Sequence, residues 1–491
     1  MPGIQDWRSL LFVVLVATCA CTDTERHMDA QERTGERARN SVLTGANVIE
    51  GTGLPALEGA TIVVEGARIT CIGTAEACPA PEDSERYELS GKWITPGLVD
   101  AHVHFSQTGW LDGRPDGVDA TEVYPYEAVT ADSKTNSSRL HRSYLCSGIT
   151  AVYDVGGHQW TLSLEEQAED NPNAAHVRAA GPLVTHAGRD ILHTDDYDTF
   201  LPMSDAGQGR DSVRKLKNWG STTVKVWYLA PSEELRATLD EVIMAVGDEA
   251  RAQGMPLIVH ATTLREAKVA IHAGASLLVH SIFVEDVDDE FIQLVVDNDV
   301  IHTPTIVVGP NWTRAVTSAA LGTPNQADDP NGCVDPSTRE KIANVGAIAP
   351  YLSGTQADAD KARDSLARIP VRLDQAKRNL KRMYDAGATI ATGTDAGNPL
   401  TLHGPSIYSE MEAMQDAGVT AADVIVMSTR NGARAMGRLD DFGTLEVGKI
   451  ADLLVLGGDP SADVKNFRDI EWVMRAGIMH TVSDLSYDNP E

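Results

Sequence analysis

The chain has 491 residues, 42% of them hydrophobic, too many for one small domain and enough for a sizeable core. Asp and Glu number 71 against 41 Lys and Arg, a formal net charge of −30. That balance is spread along the chain; it argues against nucleic acid as a partner and against electrostatic adhesion to anionic lipid, and reads as a solvated acidic surface.

In chain order, the first feature is the apolar run SLLFVVLVATCAC at 9–21, preceded by Arg8 and followed by a polar stretch to residue 40. Its length suits a signal peptide and is short for a bilayer span. Residues 1–21 are therefore expected to be an export signal, and 22–40 a polar linker. The small residues Thr18, Cys19 and Ala20 before Cys21 resemble a lipoprotein cleavage site, although Thr18 stands where Leu is usual. The expected location is the bacterial periplasm or, through an N-terminal lipid alone, the cell envelope. A retained N-terminal anchor is the competing reading.

Segments 41–52 (SVLTGANVIEGT) and 60–75 (ATIVVEGARITCIGTA) read as short β-branched strands between Gly and Asn turns. Segments 444–456 and 470–482 have the same character. Pairing of the two chain ends predicts a small β-sandwich built from 41–95 and 441–485. Cys71 and Cys78, seven apart, predict a disulfide in an oxidising compartment. Cys146 and Cys333 look isolated. No CxxC occurs, which argues against a cysteine-based zinc site.

Between these ends, strand-like runs alternate with helical patterns. Strands are expected at 97–105, 150–157, 177–186, 222–229, 255–261, 276–281, 301–308 and 389–397. Eight βα units point to a (β/α)8 TIM barrel of the α/β class over 96–440. The stretch at about 309–388 is too long for one connection and is expected to be a lid-forming insertion.

Polar residues fall at one end of these strands. GLVDAHVHF (97–105) places His102 and His104 on one strand face, since alternate side chains point the same way. Neutral imidazole is the commonest protein metal ligand, and a satisfied pair of core histidines is the plainer alternative. Lys225 lies between Val224 and Val226, His260 and His280 end the fifth and sixth strands, and Asp395 ends the eighth. In a barrel, C-terminal strand ends converge on one pocket. A free ammonium beside cations would be repelled. Carbon dioxide can add to a neutral lysine amine, and the resulting carbamate offers two oxygens that could bridge two divalent ions. The alternative is an ordinary lysine paired with Asp395 or with a substrate carboxylate.

ITPGLVDAHVHF, VKVW, PLIVHAT, LLVHS, ATGTDAG and GTLEVGKIADLLVL together resemble the amidohydrolase superfamily over nearly all of the chain after residue 40. HATTLREAKVAIHAGASLLVHS and HGPSIYSEMEAMQDAGV resemble the branch of imidazolonepropionase-like proteins and binuclear Xaa-Pro dipeptidases (prolidases). The resemblance implies a binuclear site. His102 and His104 would hold the more buried ion, carboxylated Lys225 would bridge, His260 and His280 would hold the second ion, and Asp395 would touch the first and handle protons. Zinc is the default for such ligands, with Mn, Co or Fe also accepted. Imidazolonepropionase is mononuclear, so Lys225 favours the prolidase side.

Two cations would generate a bridging hydroxide near neutral pH and polarise a carbonyl, and Asp395 would pass a proton to the leaving nitrogen. The expected activity is hydrolysis of an amide C–N bond in a small molecule or dipeptide, such as an Xaa-Pro dipeptide or an N-acyl amino acid. The alternative is a mononuclear cyclic-amide hydrolase or a deaminase; for the latter, Glu266 lies six residues beyond His260 and on a helix. A metal-free barrel scaffold is the non-enzymatic reading. His186 is a further catalytic and substrate-binding candidate, and Tyr228 a candidate for a substrate carboxylate. His403 and Glu410 are expected to set loop and helix structure. His141, His158, His176, His193, His272, His302 and His480 are expected to be structural or exposed. The sequence is compatible with a homo-oligomer.

Overall fold

The computed structural model describes residues 40–489 apart from 197, 230 and 231. The export signal and residues 22–39 of the linker lie outside the described residues. Among those described, no helix is long and apolar enough to cross a membrane.

The chain ends meet in one sheet. Its strands are β1 (Ser41–Val48), β2 (Leu57–Glu65), β3 (Arg68–Gly73), β4 (Glu85–Glu88), β5 (Trp93–Pro96) and, from the other end, β15 (Leu453–Leu456), β16 (Ile470–Arg475) and β17 (Ile478–Thr481). The order is β17-β16-β15-β5-β1-β2-β3, with β4 also paired to β1. β5 pairs parallel with β1 and antiparallel with β15, and so joins the two ends into one ladder. The Ile69 amide donates to Lys449 O at 3.0 Å and the Gly448 amide to Ile69 O at 2.8 Å. These bonds return the β3 edge to the segment that feeds β15. The two chain ends thus share one hydrogen-bonded sheet rather than two separate ones, over an apolar core that includes Leu43, Ile62, Ile94, Leu453 and Val455.

The central strands are β6 (Leu98–Val103), β7 (Ile149–Asp154), β8 (His176–Ala179), β9 (Leu183–Thr185), β10 (Phe200–Pro202), β11 (Val224–Trp227), β12 (Leu257–His260), β13 (Ala275–Val279) and β14 (Ile301–Thr303). All pair in parallel, with helices between most of them. Every residue of β6 and β7 is buried, as in a sheet covered on both faces. The helix Glu233–Ala252 is capped by Ser232 and the helix Leu264–His272 by Thr263, each hydroxyl accepting from an amide three residues on.

The ladder does not close into an unbroken ring. It forms two sheets, β6-β7-β8 and β10-β9-β11-β12-β13-β14. Two local features account for the breaks. The expected third strand is interrupted between β8 and β9 at Gly181 and Pro182, where Gly181 has φ +71° and Pro182 has no amide to donate. The expected eighth strand, 389–397, is irregular: it makes only isolated parallel bridges, Ile390 to His302 and Ala396 to Val103. It still sits between β14 and β6. The Ala101 amide donates to Thr392 O at 2.9 Å and the Asp395 amide to His102 O at 2.8 Å. Gly393 is needed there, because a Cβ would lie 2.8 Å from the Cβ of His102.

One apolar cluster takes Val99, Tyr153, Ile258, Leu277, Ile301 and Ala391 from strands on both sheets, so the staves surround a common core. The long segment after β14 folds into helices, among them Val308–Leu321, Pro336–Ala343 and Ile369–Asp385. Cys71 and Cys78 form a disulfide, with Cα atoms 5.6 Å apart. Cys146 and Cys333, which looked isolated, form a second with Cα atoms 5.4 Å apart across a separation of 187 residues. It ties the end of the helix Ser138–Cys146 to the segment that enters Pro336–Ala343. Only the tertiary contact brings these thiols together.

Candidate active site

The strand alternation that packs the core also aims the site. β11 and β12 pair with Lys225 opposite Ile258 and Trp227 opposite His260, and β12 and β13 with Ile258 opposite Leu277 and His260 opposite Val279. Registered residues of parallel neighbours point to one face. Ile258 and Leu277 belong to the inner core, so Lys225, Trp227 and His260 also face inward, Lys225 level with Ile258 and the other two a pair nearer the C-terminal ends.

A cavity of about 340 Å³ opens there, and its lining includes His102, His104, Lys225, His260, His280 and Asp395. The structure thus gathers all six residues at one rim. The ring centroids of His102 and His280 are 4.9 Å apart, those of His260 and His280 4.3 Å, and those of His102 and His104 5.2 Å. Potential ligand atoms of His102, His280 and Asp395 lie within 4.8 Å of one another.

His280 follows the last residue of β13, and simple alternation from Val279 would send it outward. Its φ of +80° turns it into the cavity instead. Asp395 has φ +64° and Thr305, whose Oγ1 lies 2.9 Å from His280 Nδ1, has φ +44°. A left-handed conformation costs a non-glycine residue about 1–2 kcal/mol. Three such residues at one site mark strain that the surrounding structure sustains.

The donors are prepared for a cation. His102 is fully buried, and neither ring nitrogen has a hydrogen-bond partner among the described residues. His104 Nδ1 lies 2.5 Å from the Gly156 carbonyl, which can only accept, so Nδ1 carries the proton and Nε2 presents a lone pair. That lone pair faces Asp395 Oδ1 at 2.9 Å, and His102 Nε2 is 3.3 Å from the same oxygen. Facing acceptors repel unless a positive charge joins them. Burial, together with Lys225 and the neighbouring imidazoles, holds the pKa of His102 well below the usual histidine range. Burial likewise pushes His260 down to about 3 and lowers His280 strongly. Such imidazoles are neutral and free to ligate. The residues present therefore fit a divalent-ion site.

Lys225 is 2% exposed, and among the described residues no carboxylate stands within ion-pair distance of its amine. Burial pushes it down to about 7, against the pull of Asp395 and Asp154. A sizeable neutral fraction at neutral pH is what addition to carbon dioxide requires.

Buried carboxylates brace this shell. Asp100 accepts from the Thr394 amide at 2.9 Å, from Thr394 Oγ1 at 2.6 Å and from the His102 amide at 3.2 Å, and so fastens 389–397 to β6. Asp154 accepts from the amides of Phe105 at 3.1 Å and Gly156 at 3.0 Å, beside the carbonyl that orients His104.

Two expected substrate contacts are not brought to the cavity. Tyr228 is one residue past Trp227 and takes the opposite strand face; its hydroxyl donates to Asp240 of the helix Glu233–Ala252. A three-residue offset from Lys225 reverses the face, which is why the expectation fails. His186, just after β9, does not line the cavity either. Glu266 also lies outside it, on its helix. His403 and Glu410 hold loops: His403 Nε2 donates to Gln107 O at 2.9 Å, and Glu410 accepts from the amides of Ile306 at 2.8 Å and Val307 at 3.0 Å.

Other residues reach the site unannounced by the sequence. Asn398 Nδ2 donates to Asp395 Oδ1 at 2.7 Å, while Asn398 Oδ1 accepts from Trp312 Nε1 at 3.0 Å and from the Arg114 guanidinium. Arg114 is also held by Asp116 through bonds of 2.8 and 2.9 Å and lies over the Trp312 ring. Trp227 stacks on Phe200 with centroids 5.8 Å apart. Tyr126 lines the wall with its hydroxyl 3.2 Å from His158 Nε2. Pro310, Trp312, Arg372 and Leu373 bring the long post-β14 segment into the lining. Trp227 ends β11 and Phe200 begins β10, whereas Arg114, Tyr126, Trp312, Arg372 and Asn398 sit on loops or helices with no strand-end pattern to flag them.

Known proteins agree with this architecture. The sequence profile of the amidohydrolase family matches residues 93–479. An imidazolonepropionase of Geobacillus sp. (strain WCH70) is 23% identical over 452 residues, covering 87% of this chain and 88% of that protein. A solved Xaa-Pro dipeptidase with bound methionine in its active site is 22% identical with a TM-score of 0.65, covering 90% of this chain and 100% of the other. A structure of molinate hydrolase is 20% identical with a TM-score of 0.67, covering 93% and 97%.

Proposed function

The chain belongs to the amidohydrolase family and is an enzyme acting on carbon–nitrogen bonds, and we propose that it is a binuclear metallohydrolase of amides in small molecules or dipeptides, Xaa-Pro dipeptides and N-acyl amino acids being the classes considered. The observation that carries this reading is the facing of His104 Nε2 and Asp395 Oδ1 at 2.9 Å beside the unpartnered ring of His102. His102, His104 and Asp395 would hold one ion, His260 and His280 the second, and a carbamate on Lys225 would bridge them, with zinc the default metal. Divalent ions bound there supply Lewis acidity, polarising a carbonyl and making hydroxide available near neutral pH. Asp395 takes the proton of the attacking water and delivers it to the leaving nitrogen. An amide nitrogen leaves poorly as an anion, so it needs this proton to depart. Asn398 holds the carboxylate for it.

A second reading, a single-ion hydrolase of a cyclic amide, is favoured by one observation: among the described residues, the one group of three that brings its ligand atoms within 4.8 Å of one another is His102, His280 and Asp395. It also suits the chain's similarity to imidazolonepropionases. The metal content of the purified, active protein separates the two, at about two ions per chain or one. A screen of dipeptides, N-acyl amino acids, lactones and cyclic amides on the same sample tests the activity, and failure to hydrolyse any amide in a metal-loaded state overturns both readings.

The proposal extends to an exported protein, as a soluble periplasmic or lipid-anchored form. The two disulfides support an oxidising compartment, since such bonds are rare in reducing cytosol.

A further inference from the structure

Two features of the cavity have no part in the chemistry so far described. The first is a flat aromatic wall beside the candidate metal ligands. Trp227 and Phe200 are stacked with an interplanar angle of 16°, and the Trp227 ring stands edge-on to His260 with centroids 6.2 Å apart. The backing by Phe200 fixes the plane of the indole, so the platform exists before anything binds. Leu183, Leu192, Ile306 and Leu373 continue the apolar surface.

The second is a charge at the rim. Arg372 lines the same cavity from the helix Ile369–Asp385, together with Leu373 and Ala376. It is exposed, and among the described residues its guanidinium has neither an ion-pair nor a hydrogen-bond partner. The other cavity arginine, Arg114, is different: Asp116 grips it with two bonds and Asn398 takes a third, so its charge is already answered. In a chain with a net charge of −30, an unanswered guanidinium at the mouth of the site is the group available to an anion.

We propose that the cavity selects N-acyl amino acids with a large flat side chain, the side chain lying on the Trp227–Phe200 platform and the free carboxylate meeting Arg372. This rests on the amide-hydrolase reading above and narrows it to one substrate class. The reaction consumes one water: the acyl C–N bond breaks, a C–O bond forms, and the nitrogen leaves as the amine of the free amino acid after taking a proton. Arg372 and Trp227 act on binding and leave the proton path to Asp395 and Asn398.

The test uses the full-length, metal-loaded enzyme and three amides: N-acetylphenylalanine, N-acetylglycine, which lacks the ring, and N-acetylphenethylamine, which lacks the carboxylate. The expected result is a kcat/KM for the first at least about tenfold above either of the others, each lost contact removing a charge-assisted bond or a buried ring. Arg372→Met raises KM for N-acetylphenylalanine about tenfold with kcat nearly unchanged, and leaves N-acetylphenethylamine unaffected. Arg372→Lys recovers part of the loss. Trp227→Leu removes the preference for the ring over glycine. Hydrolysis of amides without these preferences, or an Arg372→Met enzyme with unaltered KM, overturns the inference and leaves the amide-hydrolase reading standing. If no amide is hydrolysed, that broader reading fails by itself. Calorimetric titration with N-acetylphenylalanine and N-acetylphenethylamine then still decides the inference: equal affinities, or affinity insensitive to Arg372→Met, overturn it.

Discussion

Asn398 holds the Asp395 carboxylate by a side-chain donor whose direction is already decided. Its Oδ1 is occupied by Trp312 Nε1 and Arg114, so its Nδ2 must be the group that meets Asp395 Oδ1 at 2.7 Å. An asparagine amide carries its donors and acceptor at opposite ends, and fixing one end fixes the other. The helix Val308–Leu321, through Trp312, thereby sets the orientation of the carboxylate proposed to move the proton.

Asn398→Ala should lower kcat for amide hydrolysis by about tenfold to a hundredfold while changing metal content little, because it removes orientation and one charge-assisted bond. Trp312→Phe keeps the ring and loses only the N–H, and should show the same sign with a smaller drop. Steady-state kinetics beside metal analysis checks this. An unchanged kcat in Asn398→Ala would show that Asp395 needs no such support.

Lys225 separates the two proposed metal stoichiometries. Lys225→Ala should lose the bridge, most of the metal and nearly all activity, and a short carboxylic acid added to the variant should restore part of both by supplying two oxygens and a charge. Lys225→Arg should not recover, because arginine stays cationic and cannot take up carbon dioxide. Metal analysis of the variants reads the outcome directly. A Lys225→Ala enzyme that keeps its metal and shows mainly a raised KM supports the single-ion reading.

The two disulfides should differ in what they contribute. They close loops of very different length, with separations of 7 and 187 residues. Chain entropy alone makes the first worth about 2–3 kcal/mol and the second about 5 kcal/mol. The double variant Cys146→Ser, Cys333→Ser should therefore lower the unfolding midpoint more than Cys71→Ser, Cys78→Ser. Both sulfurs of the longer bridge are buried, so mild reductant should open the Cys71–Cys78 bond first. Denaturation curves and thiol mapping after partial reduction test both orders.

Glu410 should make stability fall with rising pH. Burial raises its folded pKa to about 8, despite two backbone amides that favour the anion. An exposed glutamate in the unfolded chain titrates near about 4.3. Between these values the folded state retains the proton that the unfolded state has released, so each pH unit favours unfolding by about 1.4 kcal/mol at most. Above about pH 8 the slope vanishes. Glu410→Gln removes the titration but points an NH2 at an amide that Glu410 now accepts. Its stability relative to the native protein should therefore be poorest near pH 5 and improve up to pH 8, as measured by denaturant unfolding across that range. A constant difference would show that Glu410 is ionised throughout.

The local pattern of the chain was enough to indicate the parallel α/β arrangement, the pairing of its two ends, and the strand faces of Lys225 and His260, whereas His102 and His104 reach the cavity past an irregularity in β6 between Asp100 and Val103. These follow from the period of two along a strand and from strand ends that share one rim, both short-range properties. Tyr228 shows the limit of that logic, since a single step of parity sends it to the helix side. His280 and Asp395 needed more than periodicity: left-handed backbone turns them inward, and only surrounding contacts such as those of Thr305 and Asn398 sustain it. The breaks in the barrel ladder came from Gly181, Pro182 and the irregular 389–397 segment, where local backbone geometry overrode an apolar run. Arg114, Trp312, Asn398 and Arg372 carry no periodic signal because they lie on loops and on the helices after β14. The Cys146–Cys333 bond belongs with them. Contacts between residues 187 apart are decided by how the whole chain packs, and no spacing rule along the sequence contains that information.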